Sequence, residues 1–138
     1  MFANCQMGGQ NMGGPDVCIT PIPSPAGPVP TPIPYPNTVM LPQVLPPSTS
    51  LNVLISGAPG HNMNSQSPTS NGDNAGVNTG VMSGLVMGPC RHTMGSTGVF
   101  FAGSPATKVS APTGHNGVSA NAIGMTCTPS QTRVMILR

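Results

Sequence analysis

The sequence predicts an all-β fold of short strands and tight turns, with a duplicated β-hairpin and a Pro-rich N-terminal arm. Three observations carry this expectation. The chain has 18 Gly and 18 Pro among 138 residues, a density that interrupts helices and marks turns. Only 4% of its residues are charged and its mean hydropathy is +0.05, so it lacks the charge that keeps disordered chains solvated. A folded or assembled protein is therefore expected despite the Pro and Gly content. Finally, VLISGAPG at 53–60 returns 46 residues later as VFFAGSPA at 99–106. Each copy is an apolar run followed by Gly, a small residue and Pro, which reads as a strand entering a tight turn. A second pair, SPTSNGD from Ser67 and APTGHNG from Ala111, follows at an offset of 44.

Taken in order, residues 1–18 are rich in Gly, Asn and Met and show no period. From Thr20 to Pro36, Pro falls at nearly every second position. Proline fixes φ and donates no hydrogen bond, so this stretch is expected to be a polyproline-type arm wrapped along a sheet, with Ile22, Val29, Ile33 and Tyr35 inward. A second Pro cluster ends at Ser50 and leads into the first repeat. Between the repeats, Val77, Val81, Leu85 and Met87 are spaced by small residues and read as Gly-weakened strands. NGVSANAIGM follows the second repeat, and Val134 to Leu137 form a closing strand. By length the chain is one domain, with 1–50 as the arm and 51–138 as the duplicated hairpin unit.

The net charge of +2 comes from Arg91, Lys108, Arg133 and Arg138 against Asp16 and Asp73. Four scattered cations make no phosphate-binding surface, so nucleic acid is not an expected partner. Asp16 and Asp73 are the only acids and lie far apart in sequence, which argues against paired-carboxylate chemistry. The start, MFANCQMGGQ, has neither a basic nor an apolar leader region, and no apolar run approaches the roughly 18 residues that span a bilayer. Synthesis in the cytoplasm, with any export by a route without a cleaved leader, is expected. Cys5, Cys18, Cys90 and Cys127 are then expected to stay unpaired, with Cys5 a tail residue and Cys18 a small buried one.

With PDVC at 15–18, PIPYPN at 32–37, NGD at 71–73, HNG at 115–117 and PSQTRV at 129–134, the chain resembles the PAAR-like family of type VI secretion tip proteins. The resemblance runs from Phe2 to Ile136. It implies a small conical β domain that caps and sharpens a trimeric VgrG spike, as a monomer on a trimeric partner. It also implies effector delivery, by recruiting a separate effector or its adaptor, and mechanical contact with a target membrane. A related contractile particle or phage tail would use the same shape. Arg138 follows closely on the last motif, so a bare tip without a toxin extension is expected. The three-fold outline of such a tip would come from segments of one chain facing three identical spike subunits, and the repeated hairpin suits that.

Relatives in one branch of the family hold zinc with three His and one Cys, which makes zinc the expected cofactor. The candidate ligands are His92, His115, Cys127 and Cys90, with His61 as the alternative. Zinc takes imidazole and thiolate in a closed structural shell, which would substitute for missing core in a thin domain. His61 lies in APGHN and reads equally as a turn residue. A thiol hydrolase using Cys90 or Cys127 with His92 or His115 lacks both a pocket and acidic orienting partners, so the protein is expected not to be an enzyme.

Overall fold

The computed structural model describes residues 1–137 and is nearly all-β. Ten strands form: β1 (Gln10–Ile22), β2 (Val29–Met40), β3 (Ser50–Ile55), β4 (Ala58–Gly60), β5 (Gln66–Ser67), β6 (Cys90–His92), β7 (Phe100–Phe101), β8 (Ser104–Pro105), β9 (Pro112–His115) and β10 (Ala122–Thr128). Six of them make one antiparallel sheet in the order β2-β1-β10-β9-β6-β5, while β3-β4 and β7-β8 are separate hairpins. The two short helical turns are 3-10 turns at Leu41–Gln43 and Pro46–Ser48, each opened by Pro at its first or second position. Among the described residues no helix is long and apolar enough to cross a membrane.

The two repeats are the same hairpin. Ser56 and Gly57 turn with φ of 51° and 84°, and Ala102 and Gly103 with φ of 52° and 81°. Two successive positive φ values define the type I′ turn, whose twist matches the strands it joins. Ile55 pairs with Ala58 in the first copy, and Phe101 with Ser104 in the second.

A third copy closes across the two ends of the sequence. Met135 pairs with Phe2 just as Leu54 pairs with Pro59 and Phe100 with Pro105. The Ala3 N–H donates to Val134 O at 3.0 Å, as the Ala106 N–H donates to Val99 O at 2.9 Å. Burial repeats too: Ile55, Phe101 and Ile136 are 3%, 9% and 3% exposed and share one apolar cluster with Ala3, Cys5 and Ala106. Burying each such side chain contributes about 1.5–3 kcal/mol. Cys5 is thus core rather than tail, because it pairs with Gly60 at the centre of this cluster.

The three copies meet in a closed ring of backbone hydrogen bonds. The Asn4 N–H donates to Thr107 O (3.0 Å), the Thr107 N–H to His61 O (3.2 Å) and the His61 N–H to Asn4 O (3.0 Å). A second ring repeats the pattern: the Gln6 N–H donates to Pro59 O (3.0 Å), the Met63 N–H to Pro105 O (3.0 Å) and the Val109 N–H to Phe2 O (2.9 Å). One chain therefore builds a pseudo-three-fold section from segments 2–6, 59–63 and 105–109. Ala3, Gly60 and Ala106 occupy equivalent buried positions there, where small residues let three backbones converge.

The Pro-rich stretch is a strand and not a polyproline wrap. Its residues pair with β1 from Asp16–Tyr35 to Ile22–Val29. Ile19 lies opposite Pro32 and turns its N–H away from β2, toward Thr79 O at 2.9 Å. By antiparallel alternation the nitrogens of Pro30, Pro32 and Pro34 also face away from the pair, on the open edge of the sheet. Proline removes the donors that an exposed edge would otherwise offer to another chain. Ile33 and Tyr35 are half-buried as expected, whereas Ile22 and Val29 near the tip are exposed. The first fifty residues are also more than an outer layer, since β1 sits between β2 and β10.

Residues 73–89 contain no strand, contrary to the alternation read from Val77 to Met87. Val77, Val81 and Leu85 are exposed, and Gly76, Gly80 and Gly88 face inward. A Cβ on Gly76 would lie 2.3 Å from Cys18 Cβ, on Gly80 2.6 Å from Asn121 Cγ, and on Gly88 2.9 Å from Asn116 Oδ1. This segment is held by close backbone approach to buried polar side chains.

Candidate functional site

Three features concentrate the chemistry: the three-fold hairpin face, a histidine cluster and a buried acidic group. On the hairpins, the residues before each buried apolar position point outward. Leu54, Phe100 and Met135 are 63%, 57% and 54% exposed, so the same apolar character appears three times around one axis.

The three histidines are all buried. His61 is not a turn residue; it belongs to the backbone ring, two residues beyond Pro59. The Gln6 amide nitrogen donates to Pro42 O (2.8 Å) and Val44 O (2.9 Å), which leaves Oε1 to accept from His61 Nε2 at 2.8 Å. The tautomer is thereby fixed, and His61 Nδ1 keeps a bare lone pair in the interior. His92 has no partner at either ring nitrogen, and His115 has none at Nδ1. His115 Nε2 shares a hydrogen bond of 2.9 Å with Thr113 Oγ1, and its ring lies so close to β1 that a Cβ on Gly13 would be 2.5 Å from Cδ2.

Burial pushes His61 down to about 4, and burial opposed by the Asp16 carboxylate pushes His115 down to about 4. Burial and the neighbouring His61 and His115 rings push His92 down to about 3. All three are neutral at physiological pH, the form in which imidazole binds metal.

The two candidate sulfurs differ in placement. Cys90 and His92 are buried on one face of β6 with exposed Arg91 between them, and β6 pairs Arg91 with Gly114 and His92 with Thr113. One step on, the same register sets Cys90 opposite His115. The extended backbone needed for a Cys-x-His pair is therefore present. Cys127 is exposed on β10, on the opposite face from buried Thr126, with its Sγ on Met125 O at 3.6 Å. The structure brings His61, His92, His115 and Cys90 into the interior and leaves Cys127 outside. Imidazole nitrogen and thiol are the donors zinc takes, but no three of these ligand atoms lie within 4.8 Å of one another, so the set is not gathered around one point.

The tightest ligand group was not singled out by the sequence. Among the described residues, Asp16, Cys18 and Asp73 are the His, Cys, Asp and Glu trio whose ligand atoms all lie within 4.8 Å of one another. Such a group could hold a metal ion. The two acids, 57 residues apart in sequence, converge because β1 carries Asp16 and Cys18 while the loop after β5 returns Asp73 against them. Asp16 accepts from the Asn37, Asn116 and Asn121 side-chain amides, the Asn116 bond being 3.3 Å. The Cys18 thiol lies 3.4 Å from Asp16 Oδ1 and 3.5 Å from Asp73 Oδ2, and Asp73 Oδ2 accepts the Met87 N–H at 3.1 Å. Burial, then the two carboxylates, push the Cys18 thiol up to about 12. Burial also raises Asp73, against the Met87 N–H and with the charge of Asp16. PDVC and NGD, noticed separately, are the two halves of this group.

Residues 9–124 match the family model of the toxin PAAR-like domain. No curated protein and no solved structure matches the chain. With most of its length matched and an all-β fold of small antiparallel sheets beneath that match, the chain belongs to the toxin PAAR-like domain family.

Proposed function

We propose that this protein is the tip of a type VI secretion spike, one copy capping a trimeric VgrG, where it narrows the spike for membrane puncture and effector delivery. Family membership points to a spike-associated or toxin-related role. The observation that favours the spike end is the pseudo-three-fold ring. A trimer ends in three identical surfaces, and a monomer answers all three equally only by presenting the same surface three times. Here three hairpins related in this way expose Leu54, Phe100 and Met135.

The function proposed is mechanical and not enzymatic. In support, burial holds Cys18 and Cys90 at about 12, so neither supplies a thiolate nucleophile at neutral pH. We place its synthesis in the cytoplasm and its export with the spike. A zinc ion on His61, His92 and His115, with Cys90 as the sulfur, would require these side chains to draw together, since no three of their ligand atoms lie within 4.8 Å of one another. Once bound it would contribute rigidity by cross-linking β6, β9 and the backbone ring.

Co-expression with the spike proteins of the native host tests the reading. One chain per spike trimer is expected, and a set of spikes that all fail to retain the chain contradicts it. A second task as an effector adaptor is favoured by the exposed hairpin tip, where Ile22 and Val29 flank a shallow cleft lined by Pro21, Pro23, Ser24, Gly27 and Pro28. Shortening residues 23–28 is expected to leave spike binding intact and stop cargo delivery if the tip recruits cargo.

A further inference from the structure

The chain has only two acidic residues, and both are fully buried in one place with a thiol between them. Every hydrogen-bond donor that reaches their carboxylates among the described residues is uncharged: three Asn amides, the Cys18 thiol and the Met87 N–H. Among the described residues no Lys or Arg hydrogen-bonds to either carboxylate. Buried charge of one sign without a counterion is strongly unfavourable. Asp16 is well served by amides, whereas Asp73 Oδ1 is buried with no partner at all. A second, independent side chain repeats this: Asn37 is fully buried, its carboxamide is directed at Asp16, and its Oδ1 is also without a partner. Turned over, that carboxamide presents oxygen to the same space.

We propose that Asp16, Cys18 and Asp73 form a divalent-cation site of their own, separate from the histidines, with Asn37 Oδ1 as the fourth donor. The donor set selects the ion. Calcium and magnesium take all-oxygen shells, whereas two carboxylates and a thiolate suit a borderline ion of the zinc class. Binding transfers the Cys18 proton to solvent and forms the metal–sulfur bond, so the site tightens as pH rises. Two carboxylates and a thiolate around a divalent ion leave one negative charge in place of a bare pair of carboxylates. The ion would pin the strandless segment 73–89 to β1, where Gly76 already lies against Cys18. The site does not depend on the spike reading.

The test uses the full chain, loaded with zinc and dialysed, with metal counted by elemental analysis. Cys18→Ser and Asp73→Asn are each expected to lose one zinc equivalent per chain that His92→Gln retains. Retention of the full count by both variants overturns the proposal. So does a wild-type count that His92→Gln alone removes, and so does an Asp73→Asn chain that melts higher than wild type in zinc, which identifies a shared proton instead. Should the variants fail to fold, crystals of the unmodified protein soaked in zinc decide the matter. An anomalous peak between Asp16 and Asp73 supports the site, and peaks elsewhere only, or none, overturn it.

Discussion

The hairpin end and the β1 end of this molecule are stabilised in different ways. At the hairpin end, Ile55, Phe101 and Ile136 fill one apolar cluster, and backbone hydrogen bonds close a ring around small residues. At the β1 end the buried apolar side chains, Val39, Leu41 and Val44 among them, lie outside that cluster. Asp16, Asp73, His92, His115 and several asparagines are buried there as well, and glycine backbones press against them. The contrast shows how a chain with 3% aromatic residues folds: repetition gathers large apolar side chains on one axis, and polar networks with close backbone packing supplement the apolar side chains elsewhere.

The largest effects of substitution are expected at the hairpin end. Phe101→Ala should cost about 3–5 kcal/mol and Ile55→Ala or Ile136→Ala about 2–5 kcal/mol, read by denaturant unfolding. Comparable losses at Ile55 and Ile136 would establish that the hairpin split across the sequence ends is a full member of the set. A negligible loss at Ile136 would break the three-fold account.

The metal-free protein should also lose stability on acidification. His61, His92 and His115 sit near 4, 3 and 4 in the fold against about 6.5 when unfolded. Between these values the unfolded chain binds more protons, so stability present above pH 6.5 is lost as pH falls toward 4. Asp73 is raised and acts in the opposite direction, but it is one group against three. The expected loss is of order a few kcal/mol for each histidine, measured by melting in chelator from pH 7 to pH 4. A flat profile would mean that the histidines are not buried neutral.

Smaller losses are expected where glycines hold the β1 end together. Gly13→Ala drives a Cβ into the His115 ring and Gly76→Ala into Cys18, each expected to cost about 1–3 kcal/mol. Gly57, with open space around its Cβ position, should respond only to its positive φ. The smallest change is at the exposed apolar positions. Leu54→Ser or Met135→Ser should alter stability by no more than about 0.5 kcal/mol, because these side chains touch little within the chain.

Much of the hairpin end was legible in the sequence because Gly-small-Pro after an apolar run reports a specific turn. The third copy was not, since Val134 to Leu137 have no turn signal behind them; their partner strand begins at Met1. The alternating prolines were legible as an extended segment, but only pairing with β1 reveals them as an edge. The acidic group was hidden for a related reason. Asp16 and Asp73 are distant in sequence, and hydropathy gives no cue that the only two acids of a chain are buried together. PDVC and NGD carried the signal as motifs without showing that they meet. The histidines stand out in the sequence and are all buried, whereas the exposure of Cys127 follows from strand alternation on β10, which the Gly-rich context obscures.

The central claim is that one chain presents one surface three times to a trimeric spike. It is tested most directly by mass measurement of the complex formed between the purified chain and a VgrG trimer from the same host, beside the Leu54→Ser, Phe100→Ser, Met135→Ser triple variant. The account predicts one chain per trimer for the wild type, and no complex for a variant that remains folded. Three chains per trimer, or undiminished binding by the folded triple variant, would contradict it.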